Sequence, residues 1–162
     1  MKLLELLFGK KKEKNPFALK TSHKPYQKKM VKNLKEYFDQ EKCKGVFTGE
    51  FFSRLYSYFL RTCKFTELTG ADINPGFEYK EAWSLYHHGL NLCSLRSYVE
   101  LNLESFRKSE VKKVRLTVDR QGKECVKNPK TKIYKLKDDI PLYPCLDCEC
   151  DPRCDIWYKG EY

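Results

Sequence analysis

Nowhere in the 162 residues is there an unbroken run of about 20 apolar side chains, so no segment reads as a membrane-crossing helix. Glycine-rich phosphate loops, nucleophile elbows and His-Glu-x-x-His motifs are all missing. Histidine is scarce, with three residues of which two are adjacent, so little is present to act as a general base beside a cysteine. No two carboxylates have a spacing that argues for paired acid–base work. These gaps make a non-enzymatic role the expectation. A secretory signal is also lacking. The start, "MKLLELLFGKKKEKN", has neither the longer apolar region with leading positive charge nor a small-residue cleavage site. It reads as a short amphipathic helix with a basic tail, suited to weak membrane-surface contact through residues 1–12 or to packing on its own protein. A cytoplasmic location, in which thiols stay reduced, is therefore expected.

What the chain does carry is positive charge, aromatic rings and cysteine. Hydrophobic residues at 41% and aromatics at 14% suffice for a packed core. The net charge of +10 is uneven: residues 1–44 hold 13 Lys and Arg against 5 Asp and Glu, and residues 45–162 hold 19 against 17. A surface for nucleic acid or another anionic partner is thus to be sought in the N-terminal quarter, at Lys10, Lys11, Lys12, Lys24, Lys28, Lys29, Lys32 and Lys35. A solvated, lysine-rich arm is the plainer reading of the same residues.

The hydrophobic pattern divides the chain. Residues 1–23 read as a basic arm broken by Gly9 and Asn15-Pro16. Residues 24–110 read as a helical domain of about four helices. The first carries Tyr26, Met30, Val31, Leu34, Tyr37 and Phe38 at three- and four-residue steps. The second follows a Thr48 cap with Phe51, Phe52, Leu55, Tyr58 and Phe59. "TGADINPG" is a loop. Residues 77–88 form a third helix ending near Gly89, and residues 92–110 a fourth with Leu95, Tyr98, Val99, Leu103 and Phe106 on one face. Residues 111–162 then switch to strand-like alternation at Val114, Leu116 and Val118, again through Ile133 and Leu136, and finally at "DIWYKGEY". The expected fold is α+β: a helical domain followed by a small antiparallel β module.

A sheet this small does not bury enough surface to stand alone, so a staple is expected. "CLDCECDPRC" supplies one. Cys145-x-x-Cys148 has the spacing of a zinc knuckle, Cys154 returns after Pro152, and Cys125 and Cys150 compete for the remaining position. A closed thiolate shell would make the zinc structural rather than catalytic. Reduced cysteines packed as small hydrophobes are disfavoured by Asp147, Glu149, Asp151 and Asp155; an iron–sulfur cluster or a redox thiol system is the remaining alternative. Cys43, Cys63 and Cys93 lie among apolar residues and read as core. His87 and His88 point about 100° apart on a helix and read as a helix end or exposed tip rather than as ligands.

Two segments, "LRSYVELNLESFRKSEVKKVRLTVDRQGKEC" and "KIYKLKDDIPLYPCLDCECDPRCDIWY", within residues 95–158, resemble the C-terminal part of phage minor head, or head-morphogenesis, proteins. In that family a helix leads through a turn into a strand ending near an Asp and a Cys, and a later strand and proline turn precede a His/Cys-rich knot. The resemblance implies that Cys125 and the cluster from Cys145 to Cys154 occupy metal-binding positions and that Pro141 and Pro144 shape the turn. The chain departs from the pattern at Cys125-Val126-Lys127-Asn128, where the family has Cys-x-x-Cys, and at Tyr143-Pro144, where it has His-Pro. The leading functional expectation is a zinc-stabilised interaction module that binds nucleic acid or a protein assembly. A phage-type structural assembly protein is the alternative, and a metal-dependent enzyme such as a nuclease is a second alternative.

Overall fold

A computed structural model describes residues 24–119, 132–148 and 155–161. Three helices, α1 (Lys24–Phe38), α2 (Gly49–Thr62) and α3 (Tyr79–Arg107), precede three strands, β1 (Lys113–Asp119), β2 (Lys132–Lys135) and β3 (Asp155–Glu161). The strands form one antiparallel sheet in the order β2-β1-β3. The architecture is α+β, with three helices among the described residues rather than four.

The first two helices start for local reasons. Pro25 sits in the first turn of α1, where its missing N–H would have had no helical partner. Thr48 is extended and its Oγ1 accepts the Phe51 N–H at 3.2 Å, capping α2 as its sequence predicts. Cys63 ends α2 in the left-handed region at φ 55°, its N–H returning to the Phe59 carbonyl at 2.8 Å. It is half-buried there, not a core residue as expected, whereas Cys43 and Cys93 are buried.

The helix expected to end near Gly89 does not stop there. α3 runs for 29 residues straight through that glycine. The reason is steric: a Cβ at Gly89 would lie 2.4 Å from Tyr37 Cε1 and 2.6 Å from Cδ1. Glycine here admits a buried ring against the helix backbone, which outweighs its poor helix propensity. The Tyr37 hydroxyl completes the contact by donating to the Leu85 carbonyl at 3.0 Å.

Two apolar clusters hold the molecule. The first joins α1, α2 and the N-terminal half of α3 through Met30, Leu34, Tyr37, Phe51, Leu55, Phe59 and Tyr86. Phe38, Phe47, Phe51 and Phe52 meet ring to ring at centroid distances of 5.1–5.9 Å. The second packs the C-terminal half of α3, through Val99 and Leu103, against Val114, Leu116, Tyr134 and Tyr158 of the sheet. The inward residue of β2 is Tyr134; Ile133, expected inside, is 47% exposed. The register explains the change, because Tyr134 lies opposite the fully buried Val114 and Ile133 opposite the outward Arg115.

The "TGADINPG" loop is tied down by one carboxylate. Asp72 accepts from the Thr69 N–H and hydroxyl at 2.8 and 2.7 Å and from Arg54 at 2.6 Å. Burial works against its charge, but these donors win and hold the Asp72 carboxyl below the usual range.

Candidate functional site

Of the five candidate zinc ligands, Cys145 and Cys148 fall among the described residues; Cys125, Cys150 and Cys154 lie outside them. The Cys148 N–H donates to the Cys145 carbonyl at 3.0 Å, closing a tight turn across Leu146 and Asp147. Cys145 is half-buried and Cys148 buried. This turn does not project into solvent, because Leu146 and Cys148 join the helical core. α3 grips it at two points two turns apart. His88 Nε2 lies 2.7 Å from the Cys148 carbonyl, so this nitrogen carries the donated proton. Arg96 Nη1 donates to the Pro144 carbonyl at 3.3 Å. From the other side, the Tyr158 hydroxyl of β3 donates to the Pro141 carbonyl at 2.7 Å.

His88 is therefore neither a helix end nor an exposed tip, as its sequence suggests. It sits within α3 because that helix does not break at Gly89. The adjacent pair splits its tasks, since His87 faces Trp83 with ring centroids 4.1 Å apart. Two thiols on one tight turn suit two corners of a tetrahedral thiolate shell. Among the described residues no group of three or more His, Cys, Asp or Glu is placed to hold a metal ion.

The lysine candidates separate into two groups. Lys24, Lys28, Lys32 and Lys35 are exposed along one face of α1, as their four- and three-residue spacing requires. Lys32 reaches Glu36 at 3.7 Å, and the Lys35 ammonium lies 5.5 Å from the Tyr56 ring centre. Lys29 turns to α3 instead, pairing with Glu100 at 3.3 Å and Glu104 at 2.5 Å. Partial burial opposes its charge, yet the two carboxylates raise its pKa above the ordinary lysine value. It serves the α1–α3 contact and is removed from the free basic face. Tyr26, which sits among these lysines in the sequence, packs inward against Phe59 and Tyr98 and bonds Ser94 at 2.8 Å. Lys10, Lys11 and Lys12 lie outside the described residues.

No family model, characterised protein or solved structure matches this chain.

A cleft of about 600 Å³ that the sequence does not announce opens between residues 65–68 and α3. Phe65, Tyr79, Trp83, Tyr86 and His87 line it. Its wall is fixed by the Tyr86 hydroxyl donating to the Thr66 carbonyl at 2.6 Å and the Tyr79 hydroxyl to the Leu68 carbonyl at 3.0 Å. The spacing of Tyr79, Trp83 and Tyr86, all within the helix expected over residues 77–88, is the signal that was there to find. No helix among the described residues is long and apolar enough to cross a membrane.

Proposed function

We propose that this chain is a non-enzymatic interaction module, stapled by zinc at its C-terminal turn and contacting nucleic acid through the exposed face of α1. The observation that carries the reading is the Cys145–Cys148 turn, closed by its own hydrogen bond and seated on α3 through His88 and Arg96. Cys145 and Cys148 would hold the ion together with two of Cys125, Cys150 and Cys154. A zinc in a closed thiolate shell supplies a cross-link between segments that the small sheet is too short to hold by burial alone. The chain's own residues do the rest: Leu146 anchors the turn in the helical core, and Lys24, Lys28, Lys32 and Lys35 present charge along one helix face.

The test is elemental analysis of protein purified without chelator, beside Cys145→Ser and Cys148→Ser. About one zinc per chain, lost in both variants, is expected. Metal-free protein with freely titrating thiols would overturn the zinc reading. For the partner, Lys28→Gln/Lys32→Gln should make the dependence of nucleic-acid affinity on salt shallower by about 1.8 in the log–log slope for two phosphate contacts on duplex DNA.

A further inference from the structure

The outward face of the sheet holds like charges directly opposite one another. Val114 and Leu116 of β1 are buried, so Lys113 and Arg115 point outward. Lys113 is the register partner of Lys135 on β2, and Arg115 is the register partner of Lys159 on β3. All four are exposed. Like charges facing across antiparallel strands repel and destabilise the pairing. Glu161 opposes Lys113 on β3, but its Oε1 is engaged by Arg115 Nε at 2.6 Å. At the same end of the sheet, Lys112, Lys113, Lys135 and Lys137 surround a shallow cavity of about 380 Å³. The Leu136 N–H, bonded to the Lys112 carbonyl at 3.0 Å, holds that rim together. Exposed acids flank this rim at Glu110, two residues before Lys112, and at Asp138 and Asp139, just after Lys137. Asp119 and Asp155 are register partners at the far end of β1 and β3.

We propose that this face binds the phosphodiester backbone of a nucleic acid, with Lys113, Arg115, Lys135 and Lys159 as phosphate contacts. A phosphate placed between Lys113 and Lys135 turns a repulsion into two attractions, and beside Lys159 it competes with Glu161 for Arg115. The cations repeat about 6.8 Å apart along a strand and 4.8 Å across strands, a fixed grid suited to a chain of regularly spaced charges. A lipid surface would call for apolar side chains interleaved among the basic ones, whereas Lys113 and Lys135 face each other directly; Ile133 is exposed beside them. This surface shares its partner class with the reading above but none of its residues, and the two fail separately.

The experiment is fluorescence anisotropy on the full chain with a labelled DNA duplex of about 20 base pairs, titrated at salt concentrations between about 50 and 200 mM. Removing all four cations, as Lys113→Gln/Arg115→Gln/Lys135→Gln/Lys159→Gln, should flatten the log–log salt slope by about 3.6. The smaller variant Lys113→Gln/Lys135→Gln should bind more weakly while melting at or above the wild-type temperature, because it removes a repulsion. An unchanged slope in the fourfold variant overturns the proposal, even where Lys28→Gln/Lys32→Gln lowers it. So does a fall in melting temperature for Lys113→Gln/Lys135→Gln, which would show that the pair is not repulsive. Binding to phosphatidylserine–phosphatidylcholine vesicles but not to the duplex, lost in the same variants, overturns it in favour of a membrane surface.

Discussion

Replacing Gly89 by alanine sets two effects of opposite sign against each other. Gly89 lies inside α3, and alanine in a helix interior is favoured over glycine by about 1 kcal/mol. Against that stands Tyr37. The new Cβ would sit 2.4, 2.6 and 3.1 Å from three of its ring carbons, where carbon atoms rest at about 3.5–4.0 Å. Tyr37 is fully buried, with Phe38 at 5.3 Å and His88 at 6.2 Å between ring centroids, so the ring has nowhere to retreat. Overpacking of this kind costs roughly 1–3 kcal/mol. Shifting the ring also strains the bond from its hydroxyl to Leu85, worth about 1 kcal/mol. The clash wins, and a net loss of about 1–3 kcal/mol is expected for Gly89→Ala. Urea unfolding followed by far-ultraviolet circular dichroism reads it directly. The double variant Gly89→Ala/Tyr37→Leu identifies the cause, since removing the ring should make the alanine harmless. A Gly89→Ala protein as stable as the wild type, or more so, would refute the argument that Tyr37 dictates this glycine.

Two further outcomes follow from buried groups. Asp72 has its pKa lowered on folding, so its contribution is present above the unfolded carboxylate value of about 3.9 and is lost as pH falls through the lower folded value. Asp72→Asn should cost about 1–3 kcal/mol near neutral pH, the half-exposed Arg54 adding little of it, and should flatten the acid limb of a stability–pH curve; an unaltered acid limb would remove Asp72 from that role. Burial pushes the Cys43 thiol up to about 11 and the Cys93 thiol up as well. At pH 8 the thiolate fraction of Cys43 is then roughly a thousandth, and native-state alkylation followed by mass spectrometry should modify the half-buried Cys63 ahead of Cys43 and Cys93. Equal labelling of Cys43 and Cys63 would count against the burial of Cys43.

Periodicity made α1 and α2 legible, because their apolar residues repeat at helical spacing and Thr48 marks a start that the Phe51 N–H confirms. The switch to strands after residue 111 was legible for the same reason. What local sequence did not carry was set at a distance. Gly89 looks like punctuation until Tyr37, 52 positions earlier, is seen to need its space. Ile133 looks like the inward residue until the pairing with β1 assigns that place to Tyr134. His88 likewise acquires its partner from residue 148, a contact that no pattern within α3 encodes. The Cys-x-x-Cys spacing announced a turn, and the turn is there; that it lies on the helical core through Leu146 followed only from the fold.

The unbroken course of α3 also fixes a phase relation. Its first half serves one apolar cluster through Ala82, Tyr86, Leu90 and Cys93, and its second half serves the other through Val99 and Leu103. At 29 residues it is roughly 44 Å long, a single rod on which both clusters are indexed by angle. One residue inserted between Cys93 and Val99 would rotate everything beyond it by about 100° and advance it by about 1.5 Å. Val99 and Leu103 would then turn away from the sheet while Tyr86 and Leu90 kept their places. Seven inserted residues restore the angle to within about 20°, but move the sheet some 10 Å along the rod and away from the Cys145–Cys148 turn that His88 and Arg96 hold. The middle of α3 is thus a gauge whose length and twist are set together, and no insertion there leaves both intact.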